Sequence, residues 1–269
     1  MARAAVCQLN SGPDLDHNLE QALSLIKVAA AEKAELVCLP ENFERMASAA
    51  EKLAGATPIE GPGATVLNPI RAAARESGLW ILAGSFAERI EGSSKIYNTS
   101  ALIDAEGEIA SVYRKIHLFD VEIGDGARYR ESELVAPGER LTVAETPVGQ
   151  LGLSVCYDLR FPELYRELVK LGAELLAVPA AFTAKTGQAH WEVLLRARAI
   201  ENQCFVLAPA QTGHHPGDRK TWGHALIVDP WGTVLADAGT EVGVVAAEIN
   251  LEQLRELRRT MPVLGHRRI

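Results

Sequence analysis

Three residues stand where nucleophilic chemistry is within reach. Cys156 lies in Leu151-Gly152-Leu153-Ser154-Val155-Cys156-Tyr157-Asp158-Leu159-Arg160, and Phe161-Pro162 then opens a helix. A cysteine at the carboxyl end of a strand and just before a helix stands at the rim where α/β sheets place their sites. The nearby helix N-terminus favours thiolate over thiol, and the thiolate is the reactive form. Glu41 follows the apolar run Leu36-Val37-Cys38-Leu39-Pro40. If that run shares a sheet with 150–157, Glu41 and Cys156 emerge at the same rim. A Glu buried there has a raised pKa and can accept and return a proton near neutral pH. Lys115, in Tyr113-Arg114-Lys115-Ile116-His117, ends a strand and enters a long polar loop. Taken alone, Glu41 reads as a turn or cap acid and Lys115 as a surface lysine. Cys7, Cys38 and Cys204 lie inside apolar runs and read as small buried hydrophobes.

The elements that must position these groups alternate in type. Strand-like runs cover 3–9 and 35–40. Between them, 16–33 reads as a helix, with Leu19, Ala22, Leu23, Ile26 and Ala30 on one face. A second helix covers 64–76 and stops at Gly78. Strands follow at 79–88, 95–103 and 109–116, the last two joined by the turn Asp104-Ala105-Glu106-Gly107. Residues 117–138 are polar and aperiodic, and a loop of that length in a compact domain is usually functional. Further on come strands at 141–145 and 150–157, a helix from Phe161 to Gly172, and a strand at 174–182. A helix at 188–201, a strand at 203–210, a polar loop at 212–220 and strands at 222–229, 233–237 and 243–249 follow. A helix at 251–259 closes the pattern. Strands and helices mix throughout, with no linker and no repeat, so residues 1–269 read as a single α/β domain.

Composition narrows the function. The chain has 269 residues, 48% hydrophobic and 23% charged, which excludes disorder as the main state. Its formal charge of −8 argues against nucleic acid or an anionic membrane as a partner. No apolar run approaches the roughly 18 residues of a membrane helix. The N-terminus lacks a signal peptide's apolar core, and the four cysteines contain no CxxC, so a cytoplasmic protein with reduced thiols is expected. The histidines show no HExxH or comparable zinc pattern, so no metal is expected. Ser24-Leu25-Ile26-Lys27 and Lys185-Thr186-Gly187 match SxxK and KTG of serine β-lactamases, but no SDN accompanies them and Ser24 falls in the first helix. GxSxG, Walker A and GxGxxG are all missing, which removes the carriers of serine-hydrolase and nucleotide readings.

The chain resembles the nitrilase superfamily of carbon–nitrogen hydrolases. The likeness rests on Leu39-Pro40-Glu41-Asn42-Phe43, on Arg114-Lys115-Ile116-His117-Leu118-Phe119-Asp120 and on Ser154 through Leu164. It continues through His190-Trp191-Glu192, Arg196 to Asn202, Gly223-His224 and Asp229-Pro230-Trp231-Gly232. The resemblance implies a four-layer α-β-β-α sandwich that pairs into a longer sandwich across a homodimer or higher homo-oligomer. It implies a catalytic Glu–Lys–Cys triad at Glu41, Lys115 and Cys156, with a further acid at Glu131, and no cofactor. The implied substrate is a small-molecule amide, hydrolysed through a thioester. Tyr157 would lend its backbone N–H to the oxyanion. Arg160, Phe182 and Thr183 fall near the same rim, and a guanidinium at Arg160 suits a substrate carboxylate. A structural ion pair is the other reading of Arg160. The run 189–198 together with 211–215 looks most like the deaminated-glutathione amidases. The ω-amidases acting on 2-oxoglutaramate and succinamate are the first alternative. A binding protein that keeps the fold without turnover is the alternative of another class.

Overall fold

In the computed structural model, residues 2–122 and 128–268 are described. The expected loop 117–138 therefore falls partly outside the described residues.

Two sheets organise the chain. In the first, the strand order is Lys220–Trp222, Ala210–His214, Ala2–Leu9, Leu36–Cys38, Trp80–Arg89, Ile96–Ile103 and Ile109–Arg114. The strand Gly243–Ile249 also pairs with Ala2–Leu9, antiparallel. In the second, the order is Val234–Asp237, Leu226–Val228, Phe205–Ala208, Leu175–Ala177, Gly149–Leu153 and Val143–Thr146. Parallel pairs lie at the centre of each sheet and antiparallel hairpins at the edges.

The period of two along each central strand explains the layering. Ala5, Cys7, Leu9, Val37 and Leu39 face the helices Leu15–Ala31 and Leu67–Ser77 and pack on Leu19, Ala22, Ile26 and Ile70. The alternate residues Ala4, Val6, Leu36 and Cys38 face the second sheet and join Leu151, Leu153, Leu176 and Val206. Helices Pro162–Lys170 and Ala184–Asn202 cover the other side of the second sheet through Leu164, Leu168, Trp191 and Leu195. Strands apolar on both faces thus produce helix, sheet, sheet and helix in turn, the expected four-layer sandwich. Among the described residues no helix is long and apolar enough to cross a membrane.

Three expectations change. The run 203–210 is two strands, not one: Phe205–Ala208 belongs to the second sheet and Ala210–His214 to the first. Pro209, which has no N–H for a ladder, marks the crossing. The polar stretch 212–220 is mostly a hairpin, with Thr212 opposite Trp222 and His214 opposite Lys220. Two of its polar side chains, Thr212 and His215, are buried, and His215 is held by the Ser11 carbonyl at 2.9 Å and the Thr221 hydroxyl at 2.7 Å. The stretch 117–138 contains the paired strands Asp120–Glu122 and Arg128–Arg130 and the short helix Glu131–Leu134. A further helix, Ala49–Ala54, starts at a Ser48/Glu51 capping box.

Candidate active site

The two carboxyl-end turns that carry Glu41 and Cys156 come from different sheets. Leu36–Cys38 is in the first and Gly149–Leu153 in the second. They meet because the sheets lie face to face, so the expectation of a shared sheet is replaced by a site built across the sandwich.

Glu41 is placed by a close crossing of backbones. The segment after Leu36–Cys38 passes over Gly84, where a Cβ would stand 2.0 Å from the Pro40 carbonyl oxygen. No residue but glycine fits that approach. The Glu41 carboxylate is then fixed on both oxygens. Ala181 N–H donates to Oε2 at 2.9 Å, and Asn98 Nδ2 donates to Oε1 at 3.0 Å.

Lys115 continues the strand Ile109–Arg114, with its N–H on the Asn98 carbonyl at 2.9 Å. It is 2% exposed, so the reading of it as a surface lysine is overturned. Its ammonium donates to Glu41 Oε1 at 2.9 Å and to Glu131 Oε2 at 2.9 Å. Glu131 also accepts from Asn98 Nδ2 at 3.2 Å and from the Phe119 N–H at 2.6 Å. Asn98 and Lys115 therefore stitch the two carboxylates together.

Cys156 opens a short 3₁₀ turn, Cys156–Arg160, three residues beyond its strand; the α-helix begins only at Pro162. Its φ of 49° is left-handed, an uncommon and strained value for a residue with a Cβ. The turn is held by the Pro179 carbonyl, which accepts the Cys156 N–H at 2.9 Å. The thiol lies beside the Glu41 carboxylate, close enough for each to act on the other.

Asp158 ties these parts to each other. Fully buried, it accepts from Val155 N–H at 2.8 Å and Tyr113 Oη at 2.7 Å. It also accepts from the His117 N–H at 3.1 Å and lies 2.7 Å from His117 Nδ1. One carboxylate thus grips the residue before Cys156 and the residues two before and two after Lys115.

The charge states differ from those expected of the parts. Burial pulls the Glu41 carboxyl up, but the adjoining Lys115 ammonium outweighs it and lowers the pKa to about 2. Burial also opposes charge on Lys115, yet Glu131 and Glu41 hold its pKa above the ordinary value. The Cys156 thiol is held well above its ordinary value, first by burial and then by the Glu41 carboxylate. Both expectations, a raised Glu41 and a thiolate at rest, are therefore corrected. The resting site is carboxylate, ammonium and thiol. Burial likewise pushes Cys204 up to about 12 and holds Cys7 and Cys38 higher still.

Glu41, Asn98, Lys115, Glu131 and Cys156 open onto one cavity of about 400 Å³. That is small-molecule size. Residues 3–259 match the Carbon-nitrogen hydrolase family. The chain belongs to that family. A deaminated glutathione amidase of Synechocystis sp. is 49% identical over 267 residues, covering 98% of this chain and 97% of that protein. The deaminated glutathione amidase of Homo sapiens is 46% identical over 98% of this chain and 81% of its own length. Among solved structures, the C. elegans NitFhit protein superposes with a TM-score of 0.93 at 42% identity. That match covers 100% of this chain and 66% of the other.

The structure of this carbon–nitrogen hydrolase brings all eight anticipated residues to the cavity: Glu41, Lys115, Glu131, Cys156, Tyr157, Arg160, Phe182 and Thr183. Arg160 has no carboxylate partner among the described residues. Its guanidinium lies 5.1 Å from the Phe182 ring centre and 6.0 Å from that of Tyr157. Its hydrogen-bonding contact is His190 Nδ1, at 3.4 Å. The structural ion pair is therefore absent, and the charge faces the cavity. Sequence reasoning missed Asn98, Asp158, Lys52 and Arg219, of which all but Asp158 line the cavity. Only Asp158 stood inside a motif already singled out.

Proposed function

We propose that this chain is a cysteine-dependent amidase that hydrolyses deaminated glutathione through a thioester. The observation that carries the substrate is the near full-length likeness to proteins of that name at 46–49% identity. The cluster on the cavity floor supports the chemistry.

Cys156 adds to the amide carbon as its proton passes to Glu41, and the carbonyl electron pair moves onto oxygen. In the resting site this transfer is uphill, because Glu41 is a weak base beside Lys115. It becomes favourable as negative charge leaves sulfur for the substrate oxygen. Two of the Lys115 protons are engaged by Glu41 and Glu131, which leaves the third for that oxyanion, with the Tyr157 N–H as second donor. Glu41 then gives its proton to the nitrogen, the C–N bond breaks and the amine leaves. Water adds to the thioester as Glu41 takes its proton, the C–S bond breaks, and the thiol is restored. Glu131 holds Lys115 and the Phe119 backbone. Arg160 pairs with the carboxylate of the acyl half, while Phe182 and Thr183 shape the wall. The same reading takes residues 1–269 as one domain, cytoplasmic and assembled as a homodimer or higher homo-oligomer, with no cofactor.

Turnover of deaminated glutathione and of 2-oxoglutaramate, side by side with Cys156→Ala as the blank, tests this. A higher kcat/KM on the larger amide is expected. Preference for the smaller amide would make the chain an ω-amidase, and hydrolysis by the Cys156→Ala protein would remove the nucleophile assignment.

A further inference from the structure

Lys52 and Arg219 line the same cavity and have no ion-pair partner among the described residues. They come from segments far apart in sequence, the helix Ala49–Ala54 and the turn before Lys220–Trp222. The Lys52 ammonium donates to one neutral acceptor, Asn42 Oδ1, at 2.6 Å, which leaves two N–H groups. Arg219 donates from Nη2 to the Ala181 carbonyl at 3.1 Å and lies 5.9 Å from the Tyr129 ring centre. Its Nε is buried and has no partner among the described residues. Burial lowers the Lys52 pKa and Arg219 lowers it further, while Glu44, Glu41 and Glu131 oppose that without bonding to the ammonium, so the two cations act on each other. Unpaired cations brought together in a partly dry cavity are unfavourable unless an anion joins them.

Their position says which part of a substrate that anion belongs to. Lys52 is held by Asn42, the neighbour of Glu41. Arg219 is held by the carbonyl of Ala181, whose N–H fixes Glu41 Oε2. Glu41 must reach the departing amine to protonate it, so the leaving group passes along this side. Arg160 lies elsewhere, over Phe182 and Tyr157.

We propose that Lys52 and Arg219 form a carboxylate subsite for the leaving-group half of the substrate, selecting amides whose amine product ends in a carboxylate. The proposal rests on the amidase reading and deepens it. A dianionic amide would span the cavity, with one carboxylate on Arg160 and the other on the Lys52–Arg219 pair. A small ω-amide that releases ammonia would leave the pair empty.

The test compares deaminated glutathione with the same molecule carrying a carboxamide in place of the glycyl carboxylate. The enzymes are wild type, Lys52→Gln, Arg219→Gln and Arg219→Lys. Wild type should favour the free carboxylate about 10- to 100-fold in kcat/KM, the range expected of charge-assisted hydrogen bonds. Each Gln variant should bring that ratio towards one through KM, and Arg219→Lys should keep most of it. A ratio near one in wild type, or one that survives in both Gln variants, overturns the subsite and leaves the amidase reading standing. If wild type turns over 2-oxoglutaramate but not deaminated glutathione, the substrate reading fails and the subsite fails with it. Should the Gln variants not fold, inhibition of wild type by cysteinylglycine against its C-terminal amide makes the same comparison. Stronger inhibition by the free acid supports the subsite, and equal inhibition overturns it.

Discussion

The floor and the lip of the cavity are built on opposite rules. On the floor, Glu41, Lys115, Glu131 and Asn98 are each other's partners, and three of the four are nearly inaccessible. At the lip, Lys52, Arg160 and Arg219 meet aromatic faces or neutral acceptors, with N–H groups unused and no acid bonded to them among the described residues. A closed network holds reacting groups in place before the substrate arrives, so nothing has to reorganise during the reaction. An open set of cations is satisfied only by a ligand, so it contributes to binding. The floor should therefore set kcat and the lip should set KM.

The sharpest break of that division is Glu41→Gln. It keeps the shape but removes the base, and the Gln amide must either turn a donor towards the Lys115 ammonium or give up the Ala181 N–H. We expect kcat to fall by about 10³–10⁴-fold, the loss of a positioned base together with a disturbed oxyanion donor. KM should change little. Single-turnover measurements should show no thioester burst. A burst at the normal rate would mean that Glu41 acts only after acylation, and a KM effect larger than the kcat effect would erase the division between floor and lip.

Asp158→Asn asks how far the floor extends beneath the reacting groups. Asp158 does not line the cavity, yet it accepts from the backbone before Cys156 and from both sides of Lys115. An Asn there turns one acceptor into a donor facing N–H groups, at a cost of about 2 kcal/mol in stability. As a positioning residue it should also lower kcat by roughly 10²-fold, the effect of a displacement on the order of 1 Å in a preorganised site. KM should stay close to normal. A fall in Tm with kcat intact would show that the buried carboxylate only holds the fold.

Legibility in the sequence follows the same boundary. Glu41 and Lys115 taken alone read as a cap acid and a surface lysine, and it was the resemblance carried by the motifs around them that singled them out together with Cys156, each just past the end of a strand. The two helix layers were visible through stripes such as Leu19, Ala22 and Ile26. At the lip, Lys52 and Arg219 were illegible because they lie on a six-residue helix and in a turn, where no period exists to place them. The Ser48/Glu51 capping box was a usable sign of that helix, but it says nothing of what Lys52 faces. Charge states were hidden for another reason. Whether a buried Glu is raised or lowered depends on the group packed against it, and Lys115 is 74 residues away in the chain. The sheet switch at Pro209 was hidden because the runs on both sides are equally apolar, so hydrophobicity alone did not show where one sheet gives way to the other.

Arg160→Gln gives the smallest of these effects and the cleanest reading of the lip. The guanidinium is half-buried against Phe182 and has no acid to release when removed, so the substitution leaves no uncompensated charge in the protein. What it takes away is one bidentate partner for a carboxylate, in a place that water still reaches. That argues for a KM increase of about tenfold on deaminated glutathione, near 1.4 kcal/mol, with kcat within about twofold of normal. Arg160→Lys should recover only part of it, because an ammonium cannot reproduce the planar fork or its packing on the ring. The same increase should appear with 2-oxoglutaramate, which shares the acyl half. The Lys52 and Arg219 variants should instead separate the two substrates. Were Arg160→Gln to lower kcat and leave KM alone, the guanidinium would belong to the floor, holding the Cys156 turn rather than the substrate.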